Sequence, residues 1–274
     1  ITGCDMDALF PYVDILATEG GFMFYYDPNR TSLWNCSQSA NYLESKSRGI
    51  KPYVIFAAGN TCSWNRSMHT PQETKLLFAA AVAHGANVWY GIHGQLEMLD
   101  TGGGLAAKEF NRFLSRNQRY YANTKRFTKT AIFWSKNTMN TFPEDSEKTD
   151  FTAAVVRDFV SDHGSFQNEF KGIYDVLVRN HLAPAIIDEY CMDSIEDYSL
   201  LILPNASCMS RETAEKISAY VRKGGNIIST MATSFYDEAG IPYEKPALAE
   251  VLGIHSIRNF YATEKLGCVY LEVS

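Results

Sequence analysis

The 274-residue chain has no apolar run near the ~20 residues that a membrane-spanning helix needs, and no Cys-x-x-Cys pair. Its six cysteines (Cys4, Cys36, Cys62, Cys191, Cys208 and Cys268) lie far apart. That spacing argues against a zinc site and a disulfide framework, and buried free thiols are the expectation. Positive charge is also scarce. A net charge of −6 gives no general attraction for nucleic acid or for anionic lipid, so neither is expected as a partner. An initiator Met and a basic-plus-apolar leader are both lacking, so targeting information is expected to be absent or removed, and the compartment stays open. Gly102-Gly103-Gly104 lacks the Lys-Ser/Thr of a phosphate-binding loop and is expected to be a flexible loop. No internal repeat or low-complexity tract is visible, and neither a metal nor a cofactor is expected.

What is present is ordinary globular composition, with 46% hydrophobic and 20% charged residues, enough for one large domain or two smaller ones. Three apolar runs read as strands: Val13 to Thr18, Pro52 to Ala58 and Ala86 to Ile92. Such runs suit parallel sheets buried on both faces. Helices separate them. The clearest starts at Thr70-Pro71-Gln72-Glu73, where Thr70 caps, Pro71 suits the first helical position and Glu73 bonds back to the cap. Gly85 stops it. Weaker helices are expected at Ser37 to Arg48 and at Leu105 to Tyr121, giving a βαβ order.

A second α/β series opens at Thr130-Ala131-Ile132-Phe133-Trp134. The polar stretch 141–150 reads as a loop, and a helical region from about Phe151 to Asn180, broken near Gly164, follows. Strands are expected at Ala185 to Asp188, Leu200 to Leu203 and Asn226 to Thr230, with a helix capped by Ser210 before the last. The fold class is therefore α/β in two parts, residues 1–125 and 126–274. The first part supplies three strand–helix units, whereas a closed (β/α)₈ barrel needs eight. Either it is a small open layer, or five units lie upstream.

The order from Lys51 to Leu114 resembles the end of the catalytic barrel in glycoside hydrolase family 42 β-galactosidases. The resemblance is carried by Lys51-Pro52-Tyr53, Ser63-Trp64-Asn65 and the run from Ala81 to Asn87. Residues Tyr198 to Pro204, Glu212-Thr213-Ala214, Tyr220 to Asn226 and Leu248 to Ile254 are similar to that family's middle, trimerisation domain. The resemblance implies the C-terminal portion of a (β/α)₈-type barrel, then a doubly wound, flavodoxin- or glutamine-amidotransferase-like domain through which the protein self-associates as a homo-oligomer. It also implies a carbohydrate ligand and a retaining mechanism, which sets two carboxyl groups about 5 Å apart across the glycosidic bond. The acid/base would lie upstream of Ile1. The nucleophile position would be Ala57 or Ala58, and alanine has no nucleophilic group, so the chain by itself is expected to be inactive.

Glu19 is the remaining candidate catalyst, because it follows an apolar strand and precedes Gly20-Gly21. Burial there would raise its pKa and suit it to proton transfer; the competing reading is a carboxylate that only accepts hydrogen bonds. Candidate substrate-binding residues are Asn60, Trp64 and Asn65 after the second strand, and Tyr90, His93 and Glu97 at the end of the third. An indole stacks on a sugar ring while amides and imidazole bond its hydroxyls. Loop packing is the alternative for Trp64, a structural histidine for His93. His84 is expected to be a helix-end residue rather than a ligand. In the second domain, the turn near Thr230-Met231-Ala232-Thr233 has no cysteine and Cys208 no adjacent base, so that domain is expected to be non-catalytic. Two functions stay open: part of a carbohydrate-active hydrolase, or a non-catalytic sugar-binding or oligomerisation module.

Overall fold

A computed structural model describes residues 6–20, 34–59, 68–92, 96–142 and 166–255. The chain divides into two compact units, Ile1–Phe127 and Thr128–Ser274, two residues beyond the boundary expected near 125.

In the first unit, α1 (Met6–Leu9) leads through a 3₁₀ turn to β1 (Leu16–Glu19); α2 (Asn35–Ser47), β2 (Tyr53–Ala58), α3 (Pro71–Ala83) and β3 (Asn87–Gly91) follow. A 3₁₀ segment, Leu96–Asp100, then leads into α4 (Gly102–Arg116) and the short α5 (Gln118–Tyr121). The three strands pair in the order β1-β2-β3, all parallel. The capping box of α3 forms as its sequence dictates: Thr70 Oγ1 accepts from Glu73 N, and Glu73 Oε2 accepts from Thr70 N at 2.8 Å.

Two expectations are corrected. Strand β1 starts three residues later than its apolar run, so Glu19 is its last residue rather than a loop residue. Gly102-Gly103-Gly104 is not a loop but the first turn of α4. A Cβ at Gly103 would lie 2.5 Å from the His69 carbonyl oxygen, and one at Gly104 2.4 Å from that of Leu99. Those glycines are there for close backbone approach.

Among the described residues, the sheet of this unit is also buried on one face only. Leu16, Ile55 and Ala57 pack with Leu43 of α2 and with Leu77, Phe78 and Ala81 of α3. The residues between them, Ala17, Glu19 and Trp89, are exposed. Below the sheet, Lys46 is fully buried and its Nζ donates to both carboxylate oxygens of Asp7, at 2.9 and 2.7 Å.

The second unit contains β4 (Thr130–Phe133), α6 (Lys136–Thr141), α7 (Phe166–Arg179), β5 (Ala185–Ile187), a 3₁₀ segment Glu189–Asp197, β6 (Leu200–Leu203), α8 (Arg211–Arg222) and β7 (Asn226–Ser229). Its four parallel strands run β5-β4-β6-β7. The chain leaves β4 toward one edge, then crosses to the other side at β6, a doubly wound arrangement. Phe133, Ile187, Leu201 and Leu203 join Ala214, Ile217 and Tyr220 of α8 in one core. Ile132, Ile186 and Ile202 alternate to the other face, and Trp134 meets the rings of Phe166 and Phe170 of α7. The part of the expected helical region at 151–165 lies outside the described residues.

Candidate functional site

Parallel α/β sheets carry their chemistry at the C-terminal ends of the strands, where loops converge on a rigid frame. In the first unit that end is set by register. Glu19 pairs with Phe56, and Phe56 with Trp89. Because side chains alternate along strands, these three residues share the open face. The Phe56 and Trp89 rings meet edge to face, with centroids 5.2 Å apart, and Trp89 is 62% exposed. Gly91 leaves room for this pair, since a Cβ there would lie 2.4 Å from the Phe56 ring. The result is an aromatic surface with one carboxylate at its rim.

Glu19 is exposed, so the burial expected of it is not supplied by the described residues. Its backbone is held: its carbonyl accepts from Ser39 Oγ at 3.3 Å, and the next residue, Gly20, donates to the Phe56 carbonyl. Ala57 faces the other way. It is fully buried, opposite Tyr90 in register, within the layer that packs on the helices. Ala58 pairs with Gly91.

Tyr90 is on the helix side as well. Its ring packs on Phe78 of α3, its hydroxyl shares a hydrogen bond with Thr74 Oγ1 at 3.3 Å, and burial raises its pKa against that bond. A Cβ at Gly59 would lie 2.7 Å from the Tyr90 ring, and Gly59 itself accepts from His69 N and donates to Gly91 O. Tyr90 therefore props the base of the β2–α3 loop, while its neighbour Trp89 is the residue on the open face. Glu97 is exposed in the Leu96–Asp100 segment. Asn60, Trp64, Asn65 and His93 lie outside the described residues. His84 ends α3 with Nδ1 2.8 Å from the Ala80 carbonyl oxygen, and burial lowers its pKa, which favours the neutral ring.

Sequence reasoning missed Phe56 and Trp89. Their aromatic character was visible, but the face they occupy depends on register, and a one-residue slip exchanges Trp89 for Tyr90.

In the second unit, the ends of β4 and β5 are joined by one carboxylate. Glu189 Oε1 accepts from Asn137 N and Ser135 Oγ, and Oε2 accepts from Lys136 N at 3.0 Å. Ser135 also donates to the Cys208 carbonyl, and Cys208 N donates to Thr138 Oγ1. Burial raises the Glu189 pKa, opposed by those backbone hydrogen bonds. The Cys208 thiol is buried and pushed up to about 11, the opposite of an activated nucleophile. After β7, Met231 adopts φ +47°, a sharp left-handed turn that holds a methionine instead of a nucleophile. Cys36 and Cys191 are also free and buried. Among the described residues no group of three or more His, Cys, Asp or Glu could hold a metal ion, and no helix is long and apolar enough to cross a membrane.

Comparison with known proteins places residues 129–270 in register with the family model of the β-galactosidase trimerisation domain. The whole chain is similar in structure to a β-galactosidase from Rahnella sp. R3, with 20% identity and a TM-score of 0.68 over 91% of this chain and 38% of that one. A β-galactosidase from Bacillus circulans sp. alkalophilus gives 16% identity and a TM-score of 0.69, covering 90% of this chain and 37% of its own. A family 42 exo-carrageenase from Bacteroides ovatus gives 13% and 0.64, covering 89% and 34%. The chain thus spans less than two-fifths of these relatives. No curated protein sequence matches.

Proposed function

Because this chain belongs to the β-galactosidase trimerisation-domain family, we propose that it is one part of a carbohydrate-processing glycoside hydrolase whose barrel is completed by polypeptide outside these 274 residues. The observation that carries the reading is the row Glu19–Phe56–Trp89 on an uncovered parallel sheet, joined in one chain to a domain of that family. Among the described residues, three strands leave two unpaired edges and an apolar face, which supports five further strand–helix units. The solved relatives' greater length supports the same reading.

In that enzyme Glu19 would face the sugar as acid, base or hydroxyl acceptor, with Trp89 offering its ring. Retaining hydrolysis takes two opposed carboxyl groups, and the described open face of the sheet offers one. The chain by itself is therefore proposed to be inactive. The test is turnover of a panel of aryl glycosides by the complete protein and by its Glu19→Gln variant. A loss of at least about 100-fold, the usual worth of a general acid or base, supports catalysis by Glu19; full activity in the variant removes it. Turnover of a galactoside by the 274-residue chain at an enzyme-like rate would overturn the proposal of a shared site.

A second reading has its own support. Ala57 is sealed in the core, so β2 presents no carboxylate at that position, and the second unit's sites are closed by internal hydrogen bonds. This favours a sugar-binding or assembly module that associates with copies of itself through residues 128–274. No turnover of any glycoside by the complete protein, together with retained sugar binding, would establish it.

A further inference from the structure

Helix α4 and the segment after it concentrate positive charge in a chain of net charge −6: residues 102–126 hold six of the 25 basic residues and one of the 31 acidic ones. Lys108, Arg112 and Arg116 recur every four residues along α4, which makes one stripe with a cation about every 6 Å. All three are exposed, and none is held in an ion pair among the described residues. The single acid, Glu109, is taken up by Lys75 of α3 at 2.8 Å. We propose that this stripe binds a linear anionic polysaccharide, whose sulfate or carboxylate groups meet the three cations.

The direction of the stripe leaves it open when the sheet is extended. Helix α4 packs on the core of the first unit through Ala107 and Phe110, on the far side of the helix from Arg112. Glu109, and the Phe110 ring that meets Phe78, mark the side toward α3. Asn111 and Ser115 mark the other flank, where they share a hollow with Ala86 and Val88 at the start of β3. Polypeptide added beyond β3 would settle on that flank. The stripe runs between the two flanks, along the face turned away from the sheet.

The charge pattern selects the polymer. An extended sugar chain with an anion on each ring, or on each second ring, repeats on the scale of a helical turn. Two of the cations are arginines, whose paired N–H groups suit the oxygens of a carboxylate or sulfate. Duplex nucleic acid carries a charge about every 1.7 Å, and the acidic remainder of the chain repels so dense an anion. A peptide partner binds through apolar anchors, and on this face of α4 Leu105 alone is apolar. That the polymer is a sugar rests on the carbohydrate reading above; its hold on the stripe is independent of Glu19.

The test is the affinity of the 274-residue protein for heparin and for polygalacturonate, compared with neutral galactan, polyglutamate and duplex DNA. Binding of either charged glycan, weakening as salt is raised, is expected; heparin alone would name sulfate as the group and polygalacturonate alone carboxylate. Arg112→Gln with Arg116→Gln is expected to weaken it about tenfold or more, and Lys171→Gln with Lys245→Gln, an equal change of net charge on exposed positions of the second unit, to leave it within about twofold. Failure of both charged glycans to bind, equal losses in the two folded variants, or tighter binding of galactan, polyglutamate or DNA would each overturn the proposal. Turnover of aryl glycosides, which carry no polymer charge, tests the hydrolase reading separately.

Discussion

Lys46 and Asp7 show how a single residue fixes the underside of the first unit. The two side chains are 2% and 7% exposed, with Arg48 a further 3.6 Å from the same carboxylate. A charge so deeply placed is tolerated only while its partner is present. Lys46→Ala is expected to cost about 3–5 kcal/mol in urea unfolding, since it removes the buried cation that donates to both Asp7 oxygens. The double change Lys46→Met with Asp7→Leu is expected to recover most of that loss. Equal losses in the single and double variants would show that packing, rather than charge, is what the pair supplies. Thr70→Ala is a smaller case. It removes the Oγ1 that accepts from Glu73 N, keeps the backbone N–H that donates to Glu73 Oε2, and is expected to lower stability by about 1 kcal/mol; no change in the unfolding midpoint would count against the cap.

At the scale of elements, the first sheet is anchored on one side and, among the described residues, bare on the other. Trp89→Ser is accordingly expected to cost about 1 kcal/mol, the worth of its edge-to-face contact with Phe56. A core aromatic would cost about 3–5 kcal/mol. A loss of the larger size, measured by thermal unfolding, would mean that Trp89 is covered. The limits of what the sequence discloses are clearest here. The start of α3 is legible because its signal is local: Thr70, Pro71 and Glu73 each act within one turn. The succession of strands and helices along both units is legible because apolar runs alternate with helical stretches, whereas the paired order β5-β4-β6-β7 is not. Register is not local. Nothing in Asn87-Val88-Trp89-Tyr90-Gly91 says which aromatic ring faces the helices; that is decided by Phe78, Thr74 and the two glycines that make room for Tyr90. The first turn of α4 was hidden for a similar reason. Three glycines read as a loop until His69 and Leu99 are seen pressed against them. At the candidate site the end of an apolar strand at Glu19 was legible, but not the two rings that share its face.

At the scale of the whole molecule, each unit has its own core and its own response to acid. In the second unit burial holds Glu189 and Glu169 above the ordinary 4.5, opposed by hydrogen bonds to Glu189 from backbone N–H groups and to Glu169 from Thr230. A raised folded pKa means that the folded state retains the extra proton. The associated stability is then full below 4.5 and is lost as pH climbs through the raised value. Urea midpoints of the second unit are expected to fall over the range just above 4.5, and Glu189→Gln to flatten that fall. An identical pH profile in the variant would exclude Glu189 as its source. Light scattering addresses assembly. The 274-residue chain is expected to exceed the monomer mass, and to do so still with Trp89→Ser on the open sheet face. Dissociation in that variant would locate self-association in the first unit instead.

Glu189 also bears on what this domain can become. In doubly wound sheets the crevice beyond the strand ends is where foreign anions usually settle. Here a tenant from the chain's own sequence already holds the three donors. Any descendant that recruits a phosphate or carboxylate there must first evict that glutamate and endure a loosened junction between β4 and β5, so the quickest route to a new chemistry in this protein runs through its other half.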